Sequence, residues 1–478
     1  MMSTKTEYLE DPFLEELASD AFRDSIATVD KSGNRQWIYP KKPQGSLYKG
    51  RSWLSVFLIG LFFLGPFLKW NGQPLFLFNL LERKFIVFGL TFWPQDFHLF
   101  VLAMITFFVF IVLFTVIFGR VWCGWACPQT IFMEMFFRKI EYWIEGDYRQ
   151  QMKLNDGPWT TEKVLKKSAK FSLFALFSFL IGNTVMAYLV GVDELSLLIS
   201  HPPAENWGLF TFVLIFSGIF YFVFSWFREQ ACIAVCPYGR LQGVLLGKDS
   251  IVVAYDWIRG EPRGKLKRKE TQAKKGDCID CKLCVAVCPT GIDIRNGTQM
   301  ECVNCTACID ACDQVMEKVK KPKGLIRFDS YNGIANGIPF RFNTRIIAYS
   351  VVLVALLSVL GFSLASRSDI ETTLLRVPGT LYQRTEDNFI SNLYNIDLVN
   401  KTQKELNVEL KLISHEGEIQ IIGKKFSVPS QDISQGTLLI KIPEDQLEGR
   451  KNKIEIELWS EGERIDIASS NFMGPLNL

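Results

Sequence analysis

The chain has 478 residues, 48% of them hydrophobic, with 39 Phe, 12 Cys and a net charge of only +3. That length is too great for one ordinary compact domain, and the apolar residues fall in blocks, which points to membrane spans more than to an enlarged soluble core. No Rossmann or Walker motif is present, which argues against direct oxidation of a nicotinamide cofactor, and no motif argues for nucleic acid.

Residues 1–50 read as a polar, cytoplasmic N-terminal segment without a cleavable signal peptide. Five apolar runs follow, at about Trp53–Trp70, Phe97–Gly119, Phe171–Val192, Gly208–Phe227 and Ile346–Phe362. Each is near the length that crosses a bilayer. A sixth apolar piece, Pro74–Trp93, is interrupted by Glu82, Arg83 and Lys84 and reads as interfacial or re-entrant. Charge orients the spans. Residues 120–170 hold nine Lys/Arg against six acids, and residues 228–345 hold twenty against thirteen. The loop 193–207 has three acids and no Lys or Arg, and residues 363–478 have thirteen Lys/Arg against eighteen acids. Five spans with the N-terminus inside satisfy this pattern.

The second and fourth spans each run into an arginine and a C-x3-C-P pair. Arg120 precedes Cys123, Cys127 and Pro128; Arg228 precedes Cys232, Cys236 and Pro237. On a helix, an i,i+4 pair puts both thiols on one face. The two pairs either meet to give four thiolates or bind soft ions separately. Such thiolates select Cu(I), zinc or iron–sulfur; inert buried cysteines are the bland alternative. His98 and His201 fall at outer span ends and His415 in the last domain, so the usual bis-histidine haem sets are missing. An outer quinone or metal site at His98 or His201 is a weaker reading.

Between the fourth and fifth spans, Cys278, Cys281, Cys284 and Cys288 form C-x2-C-x2-C-x3-C, and Cys302, Cys305, Cys308 and Cys312 repeat it. This is the bacterial double-cluster spacing, in which the last cysteine of each run ligates the other cluster. Cys278, Cys281, Cys284 and Cys312 are therefore assigned to one [4Fe–4S] cluster, and Cys288, Cys302, Cys305 and Cys308 to the other. Zinc uses related spacings but seldom two complete crossed runs. Pro289 follows the first run, whereas Asp313 follows the second. Flanking basic residues, Arg259 to Lys275 and Lys318 to Lys323, read as a positive-inside signal or a dock for an acidic electron donor.

The remaining chain reads as strands at Leu406–Ser414, Glu418–Ile422, Thr437–Ile442, Lys453–Trp459 and Arg464–Ile467, in keeping with a small β-sandwich. The fold class expected is a multidomain membrane protein. Residues 1–50 are the N-terminal segment, 51–257 a four-span helical bundle with both C-x3-C-P motifs, and 258–340 an inserted ferredoxin domain. Residues 341–365 are the fifth transmembrane helix and 366–478 an outer β domain.

The ordered combination resembles the cytochrome c oxidase accessory protein family, called CcoG, FixG or RdxA. The resemblance is carried by Trp37-Ile38-Tyr39-Pro40, Trp122 to Thr130, Cys236 to Gln242, the eight-cysteine segment and the C-terminal strands. It implies an immunoglobulin-like C-terminal domain and a bacterial inner-membrane location, with the ferredoxin segment cytoplasmic and residues 366–478 periplasmic. It further implies cupric reductase activity at Cys123, Cys127, Cys232 and Cys236, two [4Fe–4S] cofactors, and a role in assembling cbb3-type oxidase. The partners implied are copper, oxidase subunits or copper chaperones, and an unidentified electron donor. A quinol-oxidising module and a non-enzymatic assembly scaffold are the competing readings.

Overall fold

The computed structural model describes residues 28, 29, 34–70, 72–80, 83–265, 275–379, 381–385, 388–402, 404–423 and 426–475. Most of the N-terminal segment and the basic residues Lys267, Arg268, Lys269 and Lys274 lie outside this set. The chain divides into two units. One contains residues up to Gly89 and Phe100–Leu357; the other contains Leu90–Leu99 and Ser358 onward.

Among the described residues, five helices are long and apolar enough to cross a membrane: Ser46–Phe67, Pro94–Phe118, Thr161–Val190, Trp207–Phe227 and Thr344–Ala365. Their ends differ from the apolar runs for local reasons. The first stops near Pro66, which lacks a backbone donor, and Lys69–Trp70 is already extended. The third starts ten residues early because Thr160 caps it, its side chain accepting from Lys163 N at 3.3 Å. The first span is capped from a distance: Asp310, buried in the ferredoxin segment, accepts from Leu47 N at 3.2 Å and Tyr48 N at 2.7 Å. A carboxylate there satisfies orphan donors at the positive helix end.

Residues 74–93, read as interfacial or re-entrant, carry strands. Phe76–Asn79 and Lys84–Val87 pair antiparallel as a hairpin, with Ile86 fully buried. Apolar residues at alternate positions suit a strand as well as an interfacial helix.

The ferredoxin segment is closed by a strand pair. Val252–Tyr255 runs antiparallel to Ile326–Asp329, bringing both ends of the insertion together. Val253, Tyr255, Ile294, Ile309, Met316, Leu325 and Ile326 form its core around Cys278 and Cys284.

In the second unit, Ile370–Arg376, Phe389–Asn400, Ile433–Pro443 and Glu418–Ile422 form one antiparallel sheet. Glu409–Leu412, Lys451–Ser460 and Glu463–Met473 form another. Ile390, Tyr394, Ile396, Leu398, Leu438 and Ile440 from the first pack in one core with Ile454, Ile456, Leu458 and Phe472 from the second. The arrangement is a sandwich. Hydrogen bonds cross between the sheets: Asn392 Nδ2 donates to Met473 O at 2.9 Å and its Oδ1 accepts from Met473 N at 3.3 Å, while Tyr394 Oη donates to Asn471 O at 3.0 Å. Ile370–Arg376 and Phe389–Asn400 lie outside the strands expected from sequence, although the latter is central. At the edge of this unit Asp96, 3% exposed, accepts from Arg367 at 2.6 Å and Lys401 at 2.8 Å.

Candidate metal centres

Each C-x2-C-x2-C loop is built on the same backbone strain. Asp280 and Lys282 flank Cys281 with positive φ, and Asn304 and Thr306 flank Cys305 likewise. Non-glycine residues held there cost of order 1–3 kcal/mol each, so four at matching positions mark a functional turn. They make the internal repeat visible in the main chain. A short helix, Leu283–Ala286 or Ala307–Lys318, then carries the third cysteine inward.

Two cavities of about 350 Å³ lie beside these loops. One is lined by Cys278, Cys281, Cys284 and Cys312; the other by Cys288, Cys302, Cys305 and Cys308 together with Cys284. Cys312 thus lies with the first run and Cys288 with the second, while Cys284 lines both cavities. All twelve cysteines are free. Burial pushes Cys284, Cys302 and Cys312 up to about 12 and Cys305 up to about 11. Such thiols ionise only against a bound cation. Among the described residues no three His, Cys, Asp or Glu side chains gather tightly enough for a single ion. Zinc needs four ligands at about 2.0–2.3 Å from one point, whereas thiols spread around a cavity fit a polynuclear cluster.

The membrane-edge pairs do not lie on continuous helices. Cys123 sits in the short helix Val121–Trp125, while Cys127 caps the turn begun by Pro128. Cys232 sits in the π-helix Ala231–Val235, while Cys236 caps Pro237–Leu245. In each motif proline starts a new helix and turns its second thiol onto the N-cap. The two pairs nevertheless share one neighbourhood: Cys232 feels the charges of Cys127, Cys123 and Cys236, and Cys123 those of Cys127 and Cys236. Burial pushes Cys123 up to about 11 and Cys232 up to about 12, with the neighbouring thiols adding to it.

This site abuts the second cavity. Cys123 packs against the buried cluster that contains Val287, Val303 and Cys305, and Cys308 packs against the same cluster. A Cβ on Gly124 would stand 2.4 Å from Val303 O, so glycine alone permits the approach. Gln242, fully buried, places Nε2 3.5 Å from Cys123 Sγ and accepts from Arg120. Arg120 also donates to Gly239 O at 2.6 Å, to Met300 O and, at 3.4 Å, to Cys302 O.

Residues 227–331 match a 4Fe–4S dicluster domain model, residues 100–147 a 4Fe–4S binding domain model, and residues 360–475 an IG-like fold at the C-terminus of FixG. Protein RdxA of Cereibacter sphaeroides is 37% identical over 80% of this chain and 83% of its own length.

The chain belongs to the FixG/RdxA family.

RdxB of the same organism is 34% identical, over 80% of this chain and 82% of its own length. The nitrogen fixation protein FixG of Rhizobium meliloti is 31% identical over 79% of each chain. The crystal structure of a FixG-related protein from Vibrio parahaemolyticus covers 23% of this chain and all of its own, at 18% identity and a TM-score of 0.19. As a FixG/RdxA-like chain with matched 4Fe–4S domains, the protein is an iron–sulfur redox protein of electron transfer, with five helices suited to a membrane.

A buried ion network beside the thiols escaped the sequence reading. Arg228 grips Glu141 through two bonds of 2.9 and 2.8 Å. Glu145 pairs with Lys167 and Lys170, Glu134 with Arg138, and Glu229 with Arg35. Glu141 and Arg228 are 87 residues apart, so spacing gives no signal. Burial alone would raise Glu141, but Arg228, Lys170 and Arg138 outweigh it and hold the carboxyl at about 2, below its ordinary 4.5. A depressed carboxylate contributes stability that is whole above about pH 4.5 and is lost as pH falls through about 2. Melting temperatures in detergent should show that acid-limb loss in the wild type, and Glu141→Gln should flatten it. At neutral pH the same variant should cost about 3–5 kcal/mol, since Arg228 is left buried without its carboxylate.

His201 borders a separate cavity of about 720 Å³ among Asn183, Met186, Asn206 and Phe210. Roughly 35 Å of helix separates Trp207 from Cys232.

Proposed function

We propose that this protein reduces Cu(II) to Cu(I) at Cys123, Cys127, Cys232 and Cys236, using electrons from its iron–sulfur sites, and that the Cu(I) serves assembly of a cbb3-type cytochrome oxidase. The observation that carries the reading is the packing of Cys123 on the buried cluster that holds Cys305 and borders Cys308, which puts a soft thiol site beside the second set of cluster ligands. Thiolates prefer Cu(I) to Cu(II), so the site favours the product oxidation state. The clusters, when bound, supply electrons one at a time. The chain's own part is positional: Gly124 admits the close approach, Gln242 orients Cys123, and Arg120 ties both to the loop of Cys302. Each copper ion takes one electron, and no bond in the protein breaks. The Lys/Arg distribution supports a cytoplasmic ferredoxin segment and a periplasmic sandwich. That sandwich would receive an oxidase subunit or copper chaperone.

A second reading has its own support. The 4Fe–4S binding match over residues 100–147 contains only two cysteines, Cys123 and Cys127. Completed by Cys232 and Cys236, the four thiols would hold a further cluster in place of copper. The quinol reading gains nothing from the cavity at His201, which lies far from the thiols.

One experiment separates these readings. Anaerobic reduction of Cu(II) by dithionite-reduced, desalted protein is followed with a Cu(I) chelator, for the wild type and for a variant with all four cysteines changed to serine. Copper chemistry at the pairs predicts at least a tenfold lower rate with unchanged iron content. Loss of about four iron atoms per chain would instead mark a further cluster. Equal rates and equal iron would overturn both.

A further inference from the structure

Two guanidinium groups at the second cluster-ligand set have no carboxylate partners among the described residues. Arg120 is 6% exposed, and its partners are the Gln242 side chain and the carbonyls of Gly239, Met300 and Cys302. Arg51 is 3% exposed; its Nε donates to Gly124 O at 2.6 Å and its buried Nη2 has no partner. A buried cation without a counter-ion is costly, and both act on ligand thiols: Arg120 on Cys302, and Arg51 on Cys305, where it outweighs the opposing carboxylate of Glu134, itself paired with Arg138. The first ligand set has the opposite surroundings. Its buried Arg295 is outnumbered by its own partners, Asp280 at 2.6 Å and Asp293 at 2.6 Å. Asp293 also acts on Cys284, and Asp313 on Cys312.

We propose that Arg51 and Arg120 make the site of Cys288, Cys302, Cys305 and Cys308 the higher-potential of the two iron–sulfur sites, so that electrons run one way through the segment, from the first site to the second and out beside Cys123. Net positive charge stabilises a reduced, more negative cluster, and carboxylates oppose reduction. Three backbone amides, of Thr290, Gly291 and Ile292, aim at Cys288 and act in the same sense. Solvent at Cys281, the exposed thiol, acts oppositely on the first site, but it reaches one ligand, whereas the guanidinium groups act on two ligands of the second, Cys302 and Cys305. Cys281 also gives the first site its outer face, where a one-electron carrier protein can dock. With clusters bound, each transfer would oxidise the first site by one electron and reduce the second by one; the carrier protein would re-reduce the first, and the second would pass its electron to a one-electron acceptor, a metal ion held by the membrane-edge thiols. Arg51 and Arg120 are positioning residues here, touching neither substrate nor reacting atoms.

The inference rests on the iron–sulfur reading and not on copper, and its test contains no copper. Full-length, cluster-loaded protein in detergent is titrated with dithionite under EPR observation, with iron content measured on every sample. The wild type should show two separate one-electron steps. Arg120→Gln and Arg51→Gln should each lower the upper step and leave the lower one in place. Arg120→Lys, which keeps the charge, should hold the upper step near its wild-type position. Asp293→Asn should raise the lower step alone, so the gap narrows from either side. If Arg120→Gln fails to load iron, Arg51→Gln and Asp293→Asn decide the matter between them. Coincident steps in the wild type, an unmoved upper step in the glutamine variants, or movement of the lower step instead would overturn the proposal.

Discussion

Gly124→Val should uncouple the membrane-edge thiols from the ferredoxin segment. The new Cβ would meet Val303 O at 2.4 Å and the carbonyl of Asn304 at 2.9 Å. Those are backbone atoms of the strained ligand loop, held between Asn304 and Thr306 in left-handed conformation, and they cannot swing aside as a side-chain tip would. The loop or the short helix Val121–Trp125 must move, and the Arg51 bond to Gly124 O goes with it. Overpacking of this kind costs about 1–3 kcal/mol. The larger effect falls on function: reduction of Cu(II) should drop by an order of magnitude or more while both clusters remain countable. Gly218→Ala is the matched control, because nothing lies within 4 Å of its added methyl group. It should be neutral or slightly stabilising, as alanine is the better helix former. Equal behaviour of the two variants would show that the close approach at Gly124 is incidental.

Cys312→Ser should erase the signal of the first cluster, and Cys288→Ser that of the second. The cavities are lined in that crossed manner: Cys312 faces the thiols of Cys278 and Cys281, and Cys288 those of Cys302 and Cys305. Each variant should therefore lose about half of roughly eight iron atoms. In low-temperature spectra Cys312→Ser should match Cys278→Ser and not Cys308→Ser, although Cys308 is four residues away. A match to Cys308→Ser would mean that each run ligates its own cluster. Either loss should also lower the melting temperature, since metal binding is folding free energy for a segment built around its ligands.

What the sequence shows depends on whether a requirement is local. Ligation fixes the rhythm of the eight cysteines within a few residues, so that part of the site is readable as text. Spans are readable because a bilayer demands a long apolar run, which strands and loops do not supply. The strand Phe389–Asn400 is harder. Ser391, Asn392 and Asn395 break its alternation, and two of those polar residues are buried by partners on other strands. Residues 74–93 show the converse: an apolar composition carried by a hairpin. The four thiols of the membrane-edge pairs are visible singly, but no residue pattern announces the π-helical turns at Ile131–Phe137, Val223–Phe227 and Ala231–Val235 around them. The pairing of Glu141 with Arg228 and the lone charges of Arg51 and Arg120 are likewise facts of packing.

Asp96 carries a consequence for how the chain is made. Its carboxylate stands at the head of the second span, yet the cations that neutralise it, Arg367 and Lys401, come 271 and 305 residues later. At ordinary synthesis rates of about 5–20 residues per second, that interval is roughly 15–60 s. During it the nascent protein holds an acid whose burial would be unfavourable, so this end of the span stays unlatched until the sandwich emerges. A ribosome stalled before residue 367 would leave a product with its ferredoxin ligands complete and its second helix still missing its counter-ions, which offers quality-control proteases a means of telling unfinished chains from finished ones.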